Sequence, residues 1–162
     1  HPLVEFEGRS IAEIAASKGS SDFDALFDLL ASEHCAVSMI DFIADEDDIR
    51  EILRAPFSGV ISDATYPVGG LLHPRVYGTF ARLIERYVVK EKLLSLPEAV
   101  HKVTMQLADR FGLKAKGRIA PGADADLLLF SPENVRERDS YEHPDRLAAG
   151  FDLVLVAGVE RT

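Results

Sequence analysis

The chain has 162 residues, 47% hydrophobic and 28% charged, with a formal net charge of −9. That length suits one domain, or a small domain with an appendage, and the composition excludes a disordered chain. The acidic balance excludes the phosphate-neutralising surface that nucleic acid requires and disfavours an anionic membrane, and no apolar run approaches the roughly 18–20 residues of a membrane span. Cys35 is the only cysteine, so no intrachain disulfide can form and the expected compartment is the reducing cytoplasm.

Taken in chain order, the elements alternate as βα units do. Val4-Glu5-Phe6 reads as a short strand. Ser10 with Glu13 three residues on is a capping box, and Gly19 supplies the stop of that helix. A second helix begins at Ser21-Asp22, with Phe23, Leu26, Phe27 and Leu30 recurring as one apolar face. Residues from Cys35 to Ile40 read as a buried strand. The acidic run from Asp45 to Asp48 then opens a helix through Ile49, Ile52 and Leu53, where carboxylates complement the helix dipole. A calcium loop is the sharper reading of that run, but the required spacing and glycine are absent. Gly59-Val60-Ile61-Ser62 is the next strand and ends at Asp63. A loop with Tyr66, Pro67, Gly69, Gly70 and Pro74 follows. It leads to a helix whose Phe80, Leu83, Ile84, Tyr87 and Val88 share a face. Ser95, Pro97 and Glu98 start a further helix, with Val100, Val103, Thr104, Leu107, Ala108 and Phe111 on one side and Gly112 at its end. Past a boundary at residues 112 to 118, helical periodicity gives way to strands. These run from Asp126 to Phe130 and from Asp152 to Val156, the second closed by a turn at Ala157-Gly158.

Three side chains stand out chemically. Asp63, at a strand end, is placed to exchange a proton. Arg75 carries the planar fork that pairs bidentately with a carboxylate, although it can equally tie its loop to the scaffold. His73 can contact substrate or hydrogen-bond a backbone carbonyl. Tyr77 reads as packing. His34 and Cys35, neighbours on an expected strand, point to opposite faces and cannot share one ion. His101 and His143 read as solvent-facing. No constellation in the chain supplies the roughly three protein ligands of a catalytic zinc site.

Several words of the sequence recur in a known family. They are Ile61-Ser62-Asp63, His73-Pro74-Arg75-Val76-Tyr77-Gly78-Thr79-Phe80, Leu96-Pro97-Glu98-Ala99-Val100, the run from Gly117 to Leu127, and Val154 to Gly158, together with the opening Phe6 to Ser10. With them the chain resembles the C-terminal third of the N-acyl-D-amino-acid deacylases (D-aminoacylases), members of the metal-dependent amidohydrolase superfamily. The resemblance implies an α/β fold: residues 1–112 form the C-terminal part of a (β/α)8 barrel, and residues 113–162 form strands of a small β-sandwich. It further implies a hydrolase of N-acyl-D-amino acids in which zinc activates water. The metal ligands lie on earlier strands outside this chain. Asp63 stands near the metal as proton carrier, and Arg75 and His73 face a small-molecule substrate. The partner implied is the remainder of the barrel or a second copy of the chain, and the piece alone is expected to be inactive. The start at His1-Pro2 rather than Met fits a segment of a longer protein. One departure is Ala64, where the family places glycine, so the loop after Asp63 is expected to run differently. Cyclic-amide hydrolases of the hydantoinase, dihydroorotase and allantoinase type are the enzymatic alternative, against which the His73-Pro74-Arg75 word speaks. A non-catalytic binding or scaffold module that keeps the fold segment is the other.

Overall fold

The computed structural model describes residues 4–65 and 71–161. They fall into two compact units, one of His1–Phe42 with Thr65–His73, the other of Ile43–Ala64 with Pro74–Thr162. The expected loop positions Tyr66, Pro67, Gly69 and Gly70 lie outside the described residues.

The first unit is built on α1 (Ile11–Lys18) and α2 (Asp22–Ser32). The capping box forms as expected: Ser10 Oγ accepts the Glu13 N–H at 3.2 Å, and the Glu13 carboxylate accepts the Ser10 N–H at 2.8 Å. Gly19 ends α1 with φ 66°, and the Ser20 N–H closes back onto the Ala15 carbonyl at 3.1 Å. The two helices pack through Ile14, Ala15, Ala25 and Leu29, with Phe6 and Ile11 alongside. Three expectations are corrected here. Val4–Phe6 is a single 3-10 turn, not a strand. Within α2 the buried face is Ala25 and Leu29, while Phe23 and Phe27 are 74% and 64% exposed, because the small Ala25 lets α1 approach and turns the aromatic stripe away. The chain leaves α2 through His34 and Cys35, both at positive φ, and residues 36–45 carry no regular structure. A strand forms only with a ladder partner, and this segment pairs with none among the described residues.

In the second unit, α3 (Glu46–Arg54) starts as its acidic run predicts, with Asp45 accepting the Asp47 N–H at 2.8 Å. Helix α4 (Arg75–Arg82) continues directly into a π-helical stretch, Leu83–Lys90. In this stretch Leu83, Ile84, Glu85 and Tyr87 are all buried. Helix α5 (Leu96–Val103) opens on the expected Ser95–Glu98 capping box. It does not run on to Gly112. The backbone breaks at Thr104 (φ −128°, ψ −96°), whose hydroxyl donates to the Val100 carbonyl at 2.6 Å, and α6 (Met105–Arg110) follows. Gly117, at φ 73°, packs onto that break so closely that a Cβ would lie 2.8 Å from the Thr104 carbonyl carbon and 2.9 Å from the Met105 nitrogen. The core comprises Leu53, Ala81, Leu83, Ile84, Tyr87, Leu94, Ala99 and Val135. Phe80 and Phe111, expected on buried faces, are 47% and 70% exposed.

The strands of this unit are β1 (Leu127–Phe130), β2 (Phe151–Val156) and β3 (Val159–Glu160), an antiparallel sheet in that order. Leu127 pairs with Leu155 and Phe130 with Phe151, whose rings meet edge-on at 5.9 Å. The expected turn between β2 and β3 is made by Ala157 and Gly158, both at positive φ, the geometry that matches the twist of a tight hairpin. Asp126 Oδ1 accepts the Ala157 N–H at 2.7 Å. Gly59–Ser62, expected as a strand, has no ladder among the described residues and runs as extended chain.

Charged side chains join α3 to the π-helical stretch. Glu46 accepts from Arg82 Nη2 at 2.9 Å, from Arg86 Nη1 at 2.8 Å and from the Tyr87 hydroxyl at 3.0 Å. Partial burial pushes the Glu46 carboxyl up, but the hydrogen bonds from Tyr87 and Arg82 and the Arg86 charge outweigh it and hold it below its ordinary range. Glu91 takes a bidentate Arg50 at 2.9 and 3.1 Å and Arg86 at 2.8 Å, and the hydrogen bonds from Arg50 and Arg86 pull it down to about 2. Glu137, paired with Arg82 at 3.2 Å, goes the other way: burial raises it despite the arginine, with Asp139 and Glu85 adding like charge.

Candidate active site

The route to Asp63 begins where α3 ends. The chain turns through Ala55–Ser58 and passes Gly59, whose missing Cβ leaves room for Leu107 against its backbone. Val60 then packs on the core while Ile61 is 66% exposed. The Val60 N–H donates to the Lys102 carbonyl at 3.2 Å. Lys102 itself is 5% exposed, and its ammonium donates to Ala55 O at 2.6 Å, Ser58 O at 2.9 Å and Ser58 Oγ at 3.0 Å.

Asp63 sits at φ 48°, in the left-handed region that Asp tolerates better than most residues because its short polar side chain bonds locally. Ala64 is not among the positive-φ residues, and its N–H donates to Ser62 Oγ at 3.3 Å. The turn that a glycine would make after the aspartate is thus taken by the aspartate itself. Pro74 and Arg75 open α4. Arg75 Nη1 reaches Asp63 Oδ2 at 3.2 Å, with side-chain exposures of 38% and 73%. Arg75 stands at the first helical position, and its carbonyl accepts the Thr79 hydroxyl at 2.8 Å, which fixes the turn that carries it.

The structure therefore brings two of the three expected side chains together. A guanidinium beside an exposed carboxylate offers a cation for an anionic ligand and an acid–base group within a few ångströms of it. His73 is half-buried at the end of the first unit, whereas Asp63 and Arg75 both belong to the second. Tyr77 is half-buried in α4. His101 and His143 are exposed, and His34 and Cys35 form a turn rather than a strand. Among the described residues no group of three or more His, Cys, Asp or Glu could hold a metal ion. A surface pocket lined by Ala108, Asp109, Gly112, Lys114 and Arg118 includes neither Asp63 nor Arg75. Lys102 was not singled out from sequence. Its signal is the three-residue spacing from Ala99, which puts a charged residue on the buried stripe of α5.

The sequence profile of the amidohydrolase family matches residues 3–161. The chain belongs to the amidohydrolase family. A D-aminoacylase and an N-acyl-D-glutamate deacylase, both from Alcaligenes xylosoxydans xylosoxydans, are 36% and 39% identical to this amidohydrolase chain over 157 residues. That overlap is 97% of the chain and 31% of each relative. The crystal structure of the N-acyl-D-glutamate deacylase from Bordetella bronchiseptica, complexed with zinc and a phosphonate mimic of the tetrahedral intermediate, superposes with a TM-score of 0.89 at 34% identity. It covers 99% of this chain, which in turn covers 32% of that structure. This amidohydrolase chain thus spans less than a third of the length of these relatives.

Proposed function

We propose that the chain is the C-terminal part of a hydrolase that cleaves the amide of N-acyl-D-amino acids. Residues 1–112 would supply the last βα units of its barrel and residues 113–162 the C-terminal strands of a small sandwich. The observation that carries this reading is the Asp63–Arg75 pair at 3.2 Å, in a chain that matches deacylases along nearly its whole length. Side-chain placement supports it. Val60 packs on the helical core while its equally apolar neighbour Ile61 is 66% exposed, the signature of a strand meant to be covered on both faces. In β1 the consecutive Leu128 and Leu129 are 57% and 60% exposed, which calls for cover on both faces of that sheet too. The cover would be the remainder of the barrel or a second copy of the chain.

In this reading Arg75 holds the α-carboxylate of the substrate, with His73 lending a further polar contact. Asp63 takes the proton of the attacking water and returns it to the departing amine. One carboxylate falls short of the three ligands a catalytic zinc needs, so zinc would be held by residues outside this chain, and the isolated chain would be inactive. No described helix is long and apolar enough to cross a membrane. With a single exposed cysteine, a cytoplasmic setting is proposed.

The test is release of free amine from N-acetyl-D-amino acids and their L-enantiomers, with and without zinc. It would use the full reading frame, this chain alone, and a full-length Asp63→Asn variant. The full-length enzyme should act on the D-series and D63N should lose at least ~100-fold in kcat, a typical weight for a positioned acid–base group. Unchanged turnover in D63N removes Asp63 from the mechanism.

A further inference from the structure

We propose that Lys102 is a positioning residue for the Asp63 carboxylate, an inference that rests on the reading of Asp63 as the proton carrier. Its ammonium is 5% exposed and donates to Ala55 O, Ser58 O and Ser58 Oγ at 2.6, 2.9 and 3.0 Å, which uses all three of its N–H donors. Its backbone carbonyl accepts the Val60 N–H at 3.2 Å. One residue of α5 therefore grips both the turn that follows α3 and the first residues of the extended segment, three positions before Asp63. Gln106 strengthens the same grip, donating to Pro56 O at 3.3 Å and Ser58 O at 3.0 Å. Beyond Val60, the Ala64 N–H donates to Ser62 Oγ at 3.3 Å and Asp63 pairs with Arg75 at 3.2 Å. The carboxylate is thus located from two ends, by Lys102 behind and Arg75 ahead.

The choice of lysine is informative. Burying a charge is costly, and an apolar side chain of similar volume commonly serves stability as well or better. A neutral hydroxyl or amide offers at most two donors, whereas three converging oxygens match an ammonium. What the charged residue supplies is a fixed turn at the root of the catalytic segment. Displacement of a reacting group by about 1 Å is enough to cost ~100-fold in rate.

The experiment is a double-mutant cycle in the full-length enzyme, with kcat and KM measured for wild type, K102M, D63N and K102M/D63N at equal folded fraction by circular dichroism. K102M should lower kcat at least tenfold with KM within twofold, and should cause no further loss in the D63N background, because the group it positions is already gone. An equal fold-loss in both backgrounds, or a folded K102M with unchanged kcat, overturns the inference. Should K102M fail to fold, S58A/Q106L, which keeps the ammonium and both carbonyl acceptors, goes through the same cycle with the same two outcomes at a two- to fivefold scale. A D63N enzyme as active as wild type overturns the functional reading and this inference together; an inactive D63N with independent losses overturns this inference alone.

Discussion

Asp63 and Glu46 both belong to the second unit and both meet arginine, yet they are treated very differently. Glu46 has its two oxygens occupied by Arg82, Arg86 and Tyr87, all within 3.0 Å, and it bolts α3 to the π-helical stretch. Asp63 has one arginine at 3.2 Å, is 73% exposed, and keeps an oxygen without a donor among the described residues. A saturated carboxylate is a fastener: its lone pairs are spent and its charge is locked in. A carboxylate held by its backbone, with lone pairs to spare, is available for a proton in transit. Burial and number of donors, more than proximity to arginine, separate the two carboxylates.

The sharpest way to break this contrast is to exchange the consequences. D63N should lose at least ~100-fold in kcat while its thermal midpoint stays within a degree or two, since an exposed carboxylate with one partner contributes little to stability. E46A should do the reverse, losing about 1–2 kcal/mol of stability in denaturant titration with kcat per folded molecule unchanged, after allowance for solvent at this half-exposed site. If E46A abolished catalysis at full stability, the division would be wrong. Next, if Arg75 holds the substrate carboxylate as proposed, R75A should raise KM for N-acyl-D-amino acids roughly 10- to 100-fold and affect kcat less, through loss of a charge-assisted bidentate contact.

Acid titration probes the fasteners together with the other lowered carboxylates, Glu13, Glu98, Asp126 and Glu142. Glu46, Glu85 and Glu91 bind protons less readily folded than unfolded, so they add stability above about pH 4.5 that is lost as pH falls toward their folded values, about 2 for Glu91. Glu137 binds its proton more readily when folded, so its contribution is present at acid pH and lost as pH rises. With lowered carboxylates outnumbering the single raised one, the thermal midpoint should drop between pH 4.5 and 2.5, and a flat profile there would count against the network. The gentlest perturbation is S95A, which should cost about 1 kcal/mol by chemical denaturation and leave kinetics untouched.

Local chemistry was the legible part of this sequence. Ser10, Asp45 and Ser95 announced helix starts, Gly19 and Gly112 helix ends, and Ala157-Gly158 a hairpin, because each acts within a turn of itself. Two of the three lost strands, residues 35–40 and 59–62, failed for one reason: an extended segment becomes a strand through its neighbours, and neither finds a ladder among the described residues. Periodicity misjudged α2 because Ala25, not Phe23 or Phe27, faces α1. It ran α5 and α6 together because a single hydroxyl at Thr104 carries no period. Asp63 and Arg75 were singled out through the words around them, and the structure pairs them at 3.2 Å. Lys102 was not, since a lysine normally marks solvent and only the folded turn reveals three oxygens waiting for it.

The left-handed backbone at Asp63 has a practical corollary for anyone engineering this position. Replacement by alanine removes the carboxylate and also installs a residue ill-suited to φ 48°, so lost function and a distorted peptide become inseparable. Asparagine keeps both the shape and the dihedral preference. A mutagenesis library scored for folding alone should accordingly find asparagine and glycine well tolerated here, and branched side chains filtered out before chemistry is ever put to the question.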